Sequence, residues 1–189
     1  MEGRGVKPTS DRSREFESQA MPLLDPLYNF ARWLTYDPTE AEDLVQETFA
    51  KALRGFDSFT PGTDFRAWMF RILRNTFLTS RTGLQARLTV PLDPEDEVSA
   101  TVTWETPETL VLASATREAL QDALEALPPA YREVIVLCDV EEMKYAEIAE
   151  VLQVPIGTVM SRLARGRKLL RQALAGKRVL GVAGKLKNR

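Results

Sequence analysis

The 189-residue sequence contains no histidine and only one cysteine, Cys138. The absence of histidine excludes serine–histidine and cysteine–histidine catalysis and the common zinc sites, and a single cysteine cannot form an internal disulfide. Uninterrupted apolar runs are only a few residues long, far short of a membrane span, and the first residues lack the hydrophobic stretch of a secretory signal. These absences predict a cytoplasmic protein that is not an enzyme, uses no metal or cofactor and does not insert into membranes.

Negative charge is missing from the last part of the chain. Residues 153–189 carry ten basic side chains and no aspartate or glutamate, although the whole chain has a formal net charge of −2. A block of this kind predicts a surface that binds a polyanion such as nucleic acid. A basic tail that only improves solubility is the alternative at this point.

Hydrophobic periodicity is helical along the chain, and no segment has the convincing alternation of a β-strand. The predicted fold class is all-α, with two small helical domains joined by a flexible linker. We expect a mobile N-terminal arm over residues 1–18 and a first domain over 19–82. An acidic linker over 83–105 then leads to a second domain over 106–175, and a basic tail covers 176–189.

The first domain is predicted to contain three helices, each with one apolar stripe. The first covers roughly residues 23–34, the second is capped by Asp37 with Pro38 and Glu40 in its first turn, and the third begins near Asp64. The residues expected to face the core are Leu24, Leu27, Tyr28, Ala31 and Leu34 in the first helix, Ala41, Leu44, Val45, Thr48, Phe49 and Ala52 in the second, and Phe65, Trp68, Met69, Ile72, Leu73, Thr76 and Phe77 in the third.

The second domain has the layout of a helix-turn-helix. Helical signals cover about residues 106–127 and 130–140, and two further helices are predicted over 145–152 and 156–174. Pro155 cannot extend the helix before it, so the chain must turn there. The side chains expected to pack where the last two helices cross are Ile148, Ala149, Leu152, Ile156, Val159 and Leu163.

The last helix presents hydroxyl and cationic side chains outward. Short hydroxyls near the start of a helix and arginines further along suit base edges and phosphates in a DNA major groove. Met160 has two open roles, contact with a thymine methyl group or cover for the edge of the core. The residues expected to contact DNA are Thr158, Met160, Ser161, Arg162, Ala164, Arg165, Arg167 and Lys168.

Three motifs together resemble a known family. Residues 155–167, Pro-Ile-Gly-Thr-Val-Met-Ser-Arg-Leu-Ala-Arg-Gly-Arg, resemble region 4.2 of the sigma-70 family of transcription initiation factors. Residues 40–49 resemble region 2.2 of that family, and residues 65–75 resemble region 2.3. The order of the motifs and the short connector resemble the extracytoplasmic-function (ECF, group IV) subfamily, and the resemblance extends over about residues 21–175.

The resemblance implies a function for three surfaces. The second helix would dock on the coiled coil of the largest RNA polymerase subunit, through a face opposite its apolar stripe that contains Asp43, Gln46, Glu47, Ala50 and Arg54. The third helix and the loop after it would open and hold the −10 promoter element, through Arg66, Phe70, Arg71, Arg74, Asn75, Thr79, Ser80 and Arg81. The last helix would read the −35 element. A solvated helix face is the alternative for the docking surface, and burial against the first helix is the alternative for Phe70.

Within the subfamily, two tracts resemble the group that responds to thiol-oxidative stress: Asn75-Thr76-Phe77 and Met160-Ser161-Arg162-Leu163. In that group, sensing belongs to a zinc-binding anti-sigma factor, so the implied partners are core RNA polymerase, promoter DNA and an anti-sigma factor. The stretch 78–81 and Met160 depart from the family pattern, which leaves the promoter sequence open. Cys138 lies on an apolar face, where packing is a simpler interpretation than redox sensing.

A stand-alone helix-turn-helix regulator is the competing hypothesis. Such a protein binds duplex DNA without polymerase, which explains residues 145–171 but gives the first domain no role. An enzyme that uses the scattered carboxylates has no supporting motif in the sequence.

Overall fold

The computed structural model describes residues 9–81 and 117–186. Every regular element in those two stretches is a helix, so the predicted all-α fold class is confirmed. By proximity of Cα atoms the chain divides into two compact units, one of Met1–Leu84 with Ala146–Gln153 and one of Gln85–Tyr145 with Val154–Arg189. None of the described helices is long and apolar enough to span a bilayer.

The stretch from residue 9 to residue 81 forms a small helical bundle. Its helices are α1 (Thr9–Ala20), α2 (Leu24–Thr35), α3 (Pro38–Gly55) and α4 (Phe65–Ser80), with 3₁₀ turns at Met21–Leu23 and Phe56–Ser58. Helix α3 packs against α2 and α4, and α2 also contacts α4. Two neighbouring helices therefore cover α4.

Aspartate caps begin α3 and α4, as the sequence predicts. Asp37 accepts a hydrogen bond from the backbone N–H of Glu40 at 2.9 Å, and Asp64 accepts one from the N–H of Ala67 at 2.9 Å. Pro38 occupies the start of α3, where its missing N–H costs nothing. Each carboxylate pairs a backbone donor that the helix itself leaves without a partner, which stabilises a helix by about 1 kcal/mol.

The predicted mobile arm covers residues 1–18, and helix α1 contradicts that prediction from Thr9 onward, since residues 1–8 lie outside the described residues. The chain is helical from Thr9 onward, and Phe16 is only 6% exposed. The edge of the Phe16 ring packs on the ring of Phe56, with 5.4 Å between the centroids, and Arg12 forms an ion pair with Asp57. The sequence analysis did not predict this helix because its residues are mostly polar and a single aromatic residue, Phe16, packs it against the bundle.

The apolar stripe of α2 is rotated from the predicted one. Leu27 and Ala31 are buried as expected, but Leu24 is 41% exposed and the unpredicted Phe30 is fully buried. The ring of Phe30 lies 5.5 Å from the ring of Phe70 in α4, so contact with α4 decides which face of α2 turns inward.

The predicted stripe of α3 is confirmed by the burial of Ala41, Leu44, Val45, Thr48 and Ala52, with Phe49 half-buried. In α4, Met69, Leu73, Thr76 and Phe77 are buried as predicted, and Phe65, Trp68 and Ile72 are half-buried.

Residues 117–186 contain the remaining described helices. These are α5 (Arg117–Glu125), α6 (Pro129–Ile135), α7 (Tyr145–Leu152) and α8 (Ile156–Leu186), with a π-helical turn at Val136–Val140 after α6. Gln153, in the turn between α7 and α8, has a left-handed backbone with φ 57°. Helix α8 extends past its predicted end at Leu174. The predicted linker over 83–105 and the predicted helical residues 106–116 lie outside the described residues.

Helix α8 approaches α6 closely at Gly166. A Cβ atom at this position would lie 2.9 Å from Ile135 Cδ1 and 3.2 Å from Tyr131 Cβ. Leu163 and Leu170 flank this point on α8 and are buried. The absence of a side chain at Gly166 allows α8 to lie this close to α6.

Arg132 stabilises the end of α5, a role that the sequence analysis did not identify. Its guanidinium donates hydrogen bonds to the backbone carbonyl oxygens of Leu124 at 2.9 Å, Glu125 at 2.8 Å and Leu127 at 2.7 Å. Burial lowers the pKa of Arg132 from its ordinary value. A cation at this place pairs the last carbonyls of the helix and favours the negative end of its dipole.

Candidate polymerase and nucleic-acid surfaces

The predicted docking residues form an exposed polar face on α3. Asp43, Gln46, Glu47, Ala50 and Arg54 are all exposed, on the side of the helix opposite its buried stripe. Carboxylate and amide groups spaced three and four residues apart on one helix can meet cations of a partner helix. The structure therefore presents these five residues together at the surface.

Lys51 connects the exposed face of α3 to the neighbouring helix α4. Its ammonium group lies 2.8 Å from a carboxylate oxygen of Glu47 and 3.3 Å from the hydroxyl oxygen of Thr76 in α4. Leu53, which the sequence analysis did not assign, is 47% exposed at the edge of the face. An exposed leucine beside charged groups is suited to the apolar centre of a protein contact.

The predicted −10 surface on α4 is divided between surface and interior. Asn75, Thr79, Ser80 and Arg81 are exposed, and Arg66 and Arg71 are half-buried. Phe70 and Arg74 are buried, with exposed fractions of 0% and 8%. The prediction that Arg74 lies on the surface is therefore wrong, and for Phe70 the alternative of burial against the first predicted helix is confirmed. The physical reason is that α2 and α3 both pack on α4, which widens its buried arc beyond the stripe that the sequence suggests.

Arg66 contacts the buried aromatic residue of α4. The centre of its guanidinium lies 5.5 Å from the centroid of the Phe70 ring, a cation–π contact one turn along the helix. Phe70 in turn packs on Phe30 of α2. The guanidinium of Arg66, which was predicted to contact DNA, is therefore directed partly toward the interior of the helical bundle.

The end of α4 holds hydroxyl groups and a cation in a fixed arrangement. The hydroxyl of Thr79 donates to the carbonyl oxygen of Asn75 at 2.8 Å, and the hydroxyl of Ser80 donates to that of Phe77 at 2.9 Å. Arg81 lies over the Phe77 ring, 5.3 Å from its centroid, and forms an ion pair with Glu40. Both hydroxyl oxygens still have acceptor capacity for a ligand.

An aromatic cluster lies where the connection from α3 meets the first turn of α4, and the sequence analysis missed it as a unit. The ring of Phe59 lies 5.3 Å from that of Trp68 and 5.2 Å from that of Phe65, and Phe56 stacks on Phe59 at 6.1 Å. The four rings fix the course of the connection from α3 to α4. The repeated phenylalanines after Gly55 are the sequence signal that indicates such a cluster.

Helix α8 presents most of the predicted −35 residues at its surface. Ala164 and Lys168 are exposed, and the half-buried members are Thr158, Met160, Ser161, Arg162 and Arg165. Val159 and Leu163 are buried as predicted.

Ile156 at the start of α8 and Ala149 within α7 differ from the predicted packing. Ile156 is 50% exposed rather than packed, because it lies in the first turn of α8, before Val159, the first buried residue of that helix. Ala149 is only half-buried.

The guanidinium of Arg167, which was predicted to contact the −35 element, is held within the fold by Asp139. Its Nη2 atom lies 2.5 Å from Oδ1 of Asp139, and its Nε donates to Oδ2 of the same carboxylate at 3.2 Å. The hydrogen bond to Asp139 raises the pKa of Arg167 above its ordinary value. Its position therefore differs from that of an outward DNA contact.

Cys138 lies beside this ion pair. Its Sγ atom is 3.6 Å from Nη2 of Arg167, and burial, with a smaller contribution from Asp139, raises the pKa of the thiol to about 11. A thiol with this pKa is protonated at neutral pH and is a poor nucleophile. The geometry favours the packing interpretation of Cys138.

Two sequence families match the chain in succession. Sigma-70 region 2 matches residues 21–87, and Sigma-70, region 4 matches residues 117–170. Among curated proteins, the ECF RNA polymerase sigma factor SigE of Mycolicibacterium smegmatis is 40% identical over 151 residues, which cover 80% of this chain and 58% of the relative. The ECF RNA polymerase sigma factor SigW of Bacillus subtilis is 33% identical over 158 residues, which cover 79% of this chain and 83% of the relative.

Two solved structures are similar to this chain. One is the sigma factor RpoE in complex with the anti-sigma factor NepR from Bartonella quintana, with a TM-score of 0.66 and 30% identity, covering 86% of this chain and 98% of that one. The other is CnrH in complex with the cytosolic domain of CnrY, with a TM-score of 0.64 and 27% identity, covering 89% of this chain and 92% of that one.

Proposed function

Because the chain belongs to the extracytoplasmic-function sigma factors of the sigma-70 family, we propose that it binds core RNA polymerase and directs it to promoters with separate −10 and −35 elements. The observation that carries this proposal is the match to sigma region 2 followed by the match to region 4 in one chain. A stand-alone regulator is not favoured, since it leaves residues 21–87 without a role.

The polymerase contact is assigned to the exposed face of α3 that contains Asp43, Gln46, Glu47, Ala50 and Arg54. Charged and amide groups on this face suit a cationic partner helix, and Leu53 at its edge adds apolar area. The ion pair between Lys51 and Glu47 fixes one of the carboxylates in advance. This arrangement supports a docking surface rather than a merely solvated face.

The −10 contact is assigned to the exposed end of α4. Asn75, Thr79, Ser80 and Arg81 supply an amide, two hydroxyls and a cation within two helical turns, and half-buried Arg71 adds a second cation. These groups suit the edges and phosphates of an unpaired strand. Bases that leave the duplex and bind here would stabilise the open promoter without ATP, because binding free energy offsets the cost of unpairing.

The −35 contact is assigned to the outward side of α8. Thr158, Ser161, Arg162, Arg165 and Lys168 follow one another along the helix, with the hydroxyls first and the cations after them. A helix of this kind enters the major groove with its N-terminal part on the bases and its cations near phosphates. The polymerase would hold this contact and the −10 contact at a fixed spacing.

A regulatory partner follows from the same family membership. Both similar structures are described as complexes with a second protein, NepR in one and CnrY in the other. The proposal includes an anti-sigma factor for this chain, of the zinc-binding kind that the thiol-stress resemblance implies, and a cytoplasmic site of action in a stress response. A pull-down from cells that recovers polymerase but never a second small protein would count against this partner.

Transcription from genomic DNA fragments by purified core polymerase, with and without this protein, tests the main proposal. Discrete new starts that share two upstream motifs are the expected result, and the motifs give the promoter sequence directly. New starts must be lost in Asp43→Arg, which reverses a charge on the docking face, and kept in Glu42→Arg, a matched exposed position beside that face. Duplex binding without any new start would support the stand-alone regulator instead.

The −10 assignment is tested by measuring promoter opening on the promoters that the transcription assay finds. Asn75→Ala is expected to reduce reactivity of unpaired thymines toward permanganate around the start site, while binding to core polymerase is unchanged. Equal loss of core binding and promoter opening would contradict the assignment of Asn75 to DNA.

A further inference from the structure

Arg167 belongs to the basic side chains of α8, and the structure pairs it with a carboxylate of the same domain. Its guanidinium meets the Asp139 carboxylate in a fork, with contacts of 2.5 Å and 3.2 Å to the two oxygens. The two side chains are each about one-third exposed, at 35% and 36%. A two-point contact of this geometry fixes the plane of the guanidinium as well as its position.

Asp139 owes its place to the π-helical turn at Val136–Val140. In this turn the N–H of Glu141 donates to the carbonyl oxygen of Val136 at 2.9 Å, five residues back, so one more residue is accommodated than in an α-helix. Such single π turns inside helices occur frequently at functional positions. The turn carries Asp139 to the side of α6 that α8 crosses.

The fork and the tight crossing act on adjacent residues of α8. A Cβ atom at Gly166 would lie 2.9 Å from Ile135 Cδ1 and 3.2 Å from Tyr131 Cβ on α6, and the next residue, Arg167, binds Asp139 just after α6. The glycine sets how closely the two helices approach. The two-point ion pair then fixes the rotation of α8 about its own axis, which decides where its outward side chains are directed.

We propose that Arg167 is a positioning residue that locks the DNA-reading helix to Asp139, and that this carboxylate keeps the Arg167 charge away from DNA phosphates. The inference deepens the proposed function, because it rests on α8 as the helix that reads DNA. It removes Arg167 from the predicted contact set and gives Asp139, which the sequence analysis did not single out, a role in the same surface.

The salt dependence of DNA binding separates a positioning residue from a phosphate contact. Each phosphate contact on duplex DNA contributes about 0.9 to the slope of log K against log salt, or about 3.5-fold in affinity between 50 and 200 mM salt. The measurement uses the full chain and a 30-base-pair duplex of random sequence, so it does not depend on knowledge of the promoter.

Arg167→Gln is expected to leave the slope at the wild-type value, whereas Lys168→Gln, the neighbouring exposed cation, is expected to lower it by about 0.9. Asp139→Asn is expected to make the slope steeper by about the same amount, because it releases the Arg167 charge to the DNA. A purely structural loss of fold would not steepen the slope, so this variant shows whether the Asp139 carboxylate keeps the Arg167 charge from the phosphates. It also keeps the test decisive if Arg167→Gln does not fold.

Equal reduction of the slope by Arg167→Gln and Lys168→Gln would overturn the proposal, as would an unchanged slope in Asp139→Asn. A wild-type chain without measurable duplex affinity at low salt would overturn it as well. Failure of the proposed function has a different signature, the absence of new transcription starts with core polymerase. The slope differences among variants stay interpretable in that case.

Discussion

Helices α4 and α8 both carry residues predicted to bind DNA, but neighbouring helices cover them to different extents. The buried residues of α4 spread over a wide arc that includes Phe70 and Arg74, because α2 and α3 both pack on it. Those of α8 before residue 168 follow one narrow seam through Val159, Leu163 and Gly166. A single amphipathic stripe therefore predicts the binding face of α8 better than that of α4.

The largest effect is expected from the buried side of α4. Phe70→Ala removes a ring that is fully buried against Phe30 and should lower the free energy of unfolding by about 3–5 kcal/mol. The control is Met160→Ala, which shortens a half-buried side chain of α8 and should lower the free energy of unfolding by about 1 kcal/mol or less. Urea unfolding followed by circular dichroism measures both, and similar losses would remove the contrast between the two helices.

A smaller effect is expected from the seam of α8. Gly166→Ala places a methyl group 3.2 Å from Tyr131 Cβ and 3.3 Å from the Tyr131 carbonyl oxygen, atoms that cannot rotate away, and this overpacking should cost about 1–3 kcal/mol. Gly157→Ala, where no atom lies within 4 Å of the added carbon, should change the free energy of unfolding by about 0.5 kcal/mol or less. If thermal unfolding finds Gly166→Ala as stable as the wild type, α8 does not pack as closely as described.

A loss of about 1 kcal/mol is expected from the start of α4, where Asp64→Ala removes the acceptor for the Ala67 N–H. Asp64→Asn keeps an acceptor at the same place and should retain most of the stability. Chemical denaturation of both variants checks the difference. Equal losses would mean that the carboxylate charge, rather than the hydrogen bond, starts the helix.

Features set by neighbours in sequence were predictable, and features set by distant neighbours were not. The Asp37 and Asp64 caps act within three residues, so the sequence predicts both helix starts correctly. Phe16 has no local signal, since its ring partners lie 33 or more residues away in the chain. Arg167 and Asp139 are 28 residues apart, and only the folded chain reveals that one predicted DNA contact is paired within the protein.

The smallest expected effect is a change in the free energy of unfolding with pH that the thiol of Cys138 causes. Burial, with Asp139, raises the pKa of Cys138 from 9.0 to about 11 in the folded protein. The folded state disfavours the thiolate, so the stability that this group contributes is complete below pH 9 and is lost as the pH rises through 11. Because the side chain is only half-buried, solvent screening limits the contribution to roughly 1 kcal/mol or less.

Comparison of the wild type with Cys138→Ala isolates this contribution from the tyrosines and lysines that titrate in the same range. The difference in the free energy of unfolding between the two proteins should be constant from pH 6 to 8 and should move in favour of the alanine variant between about pH 9 and 11. Arg167 lowers the pKa of the Cys138 thiol. A protein that keeps Cys138 and carries Arg167→Gln should therefore lose more of its free energy of unfolding at alkaline pH than the wild type does. A difference that does not change with pH would mean that water reaches the thiol, and that the seam of α8 is more open than the narrow line of buried residues indicates.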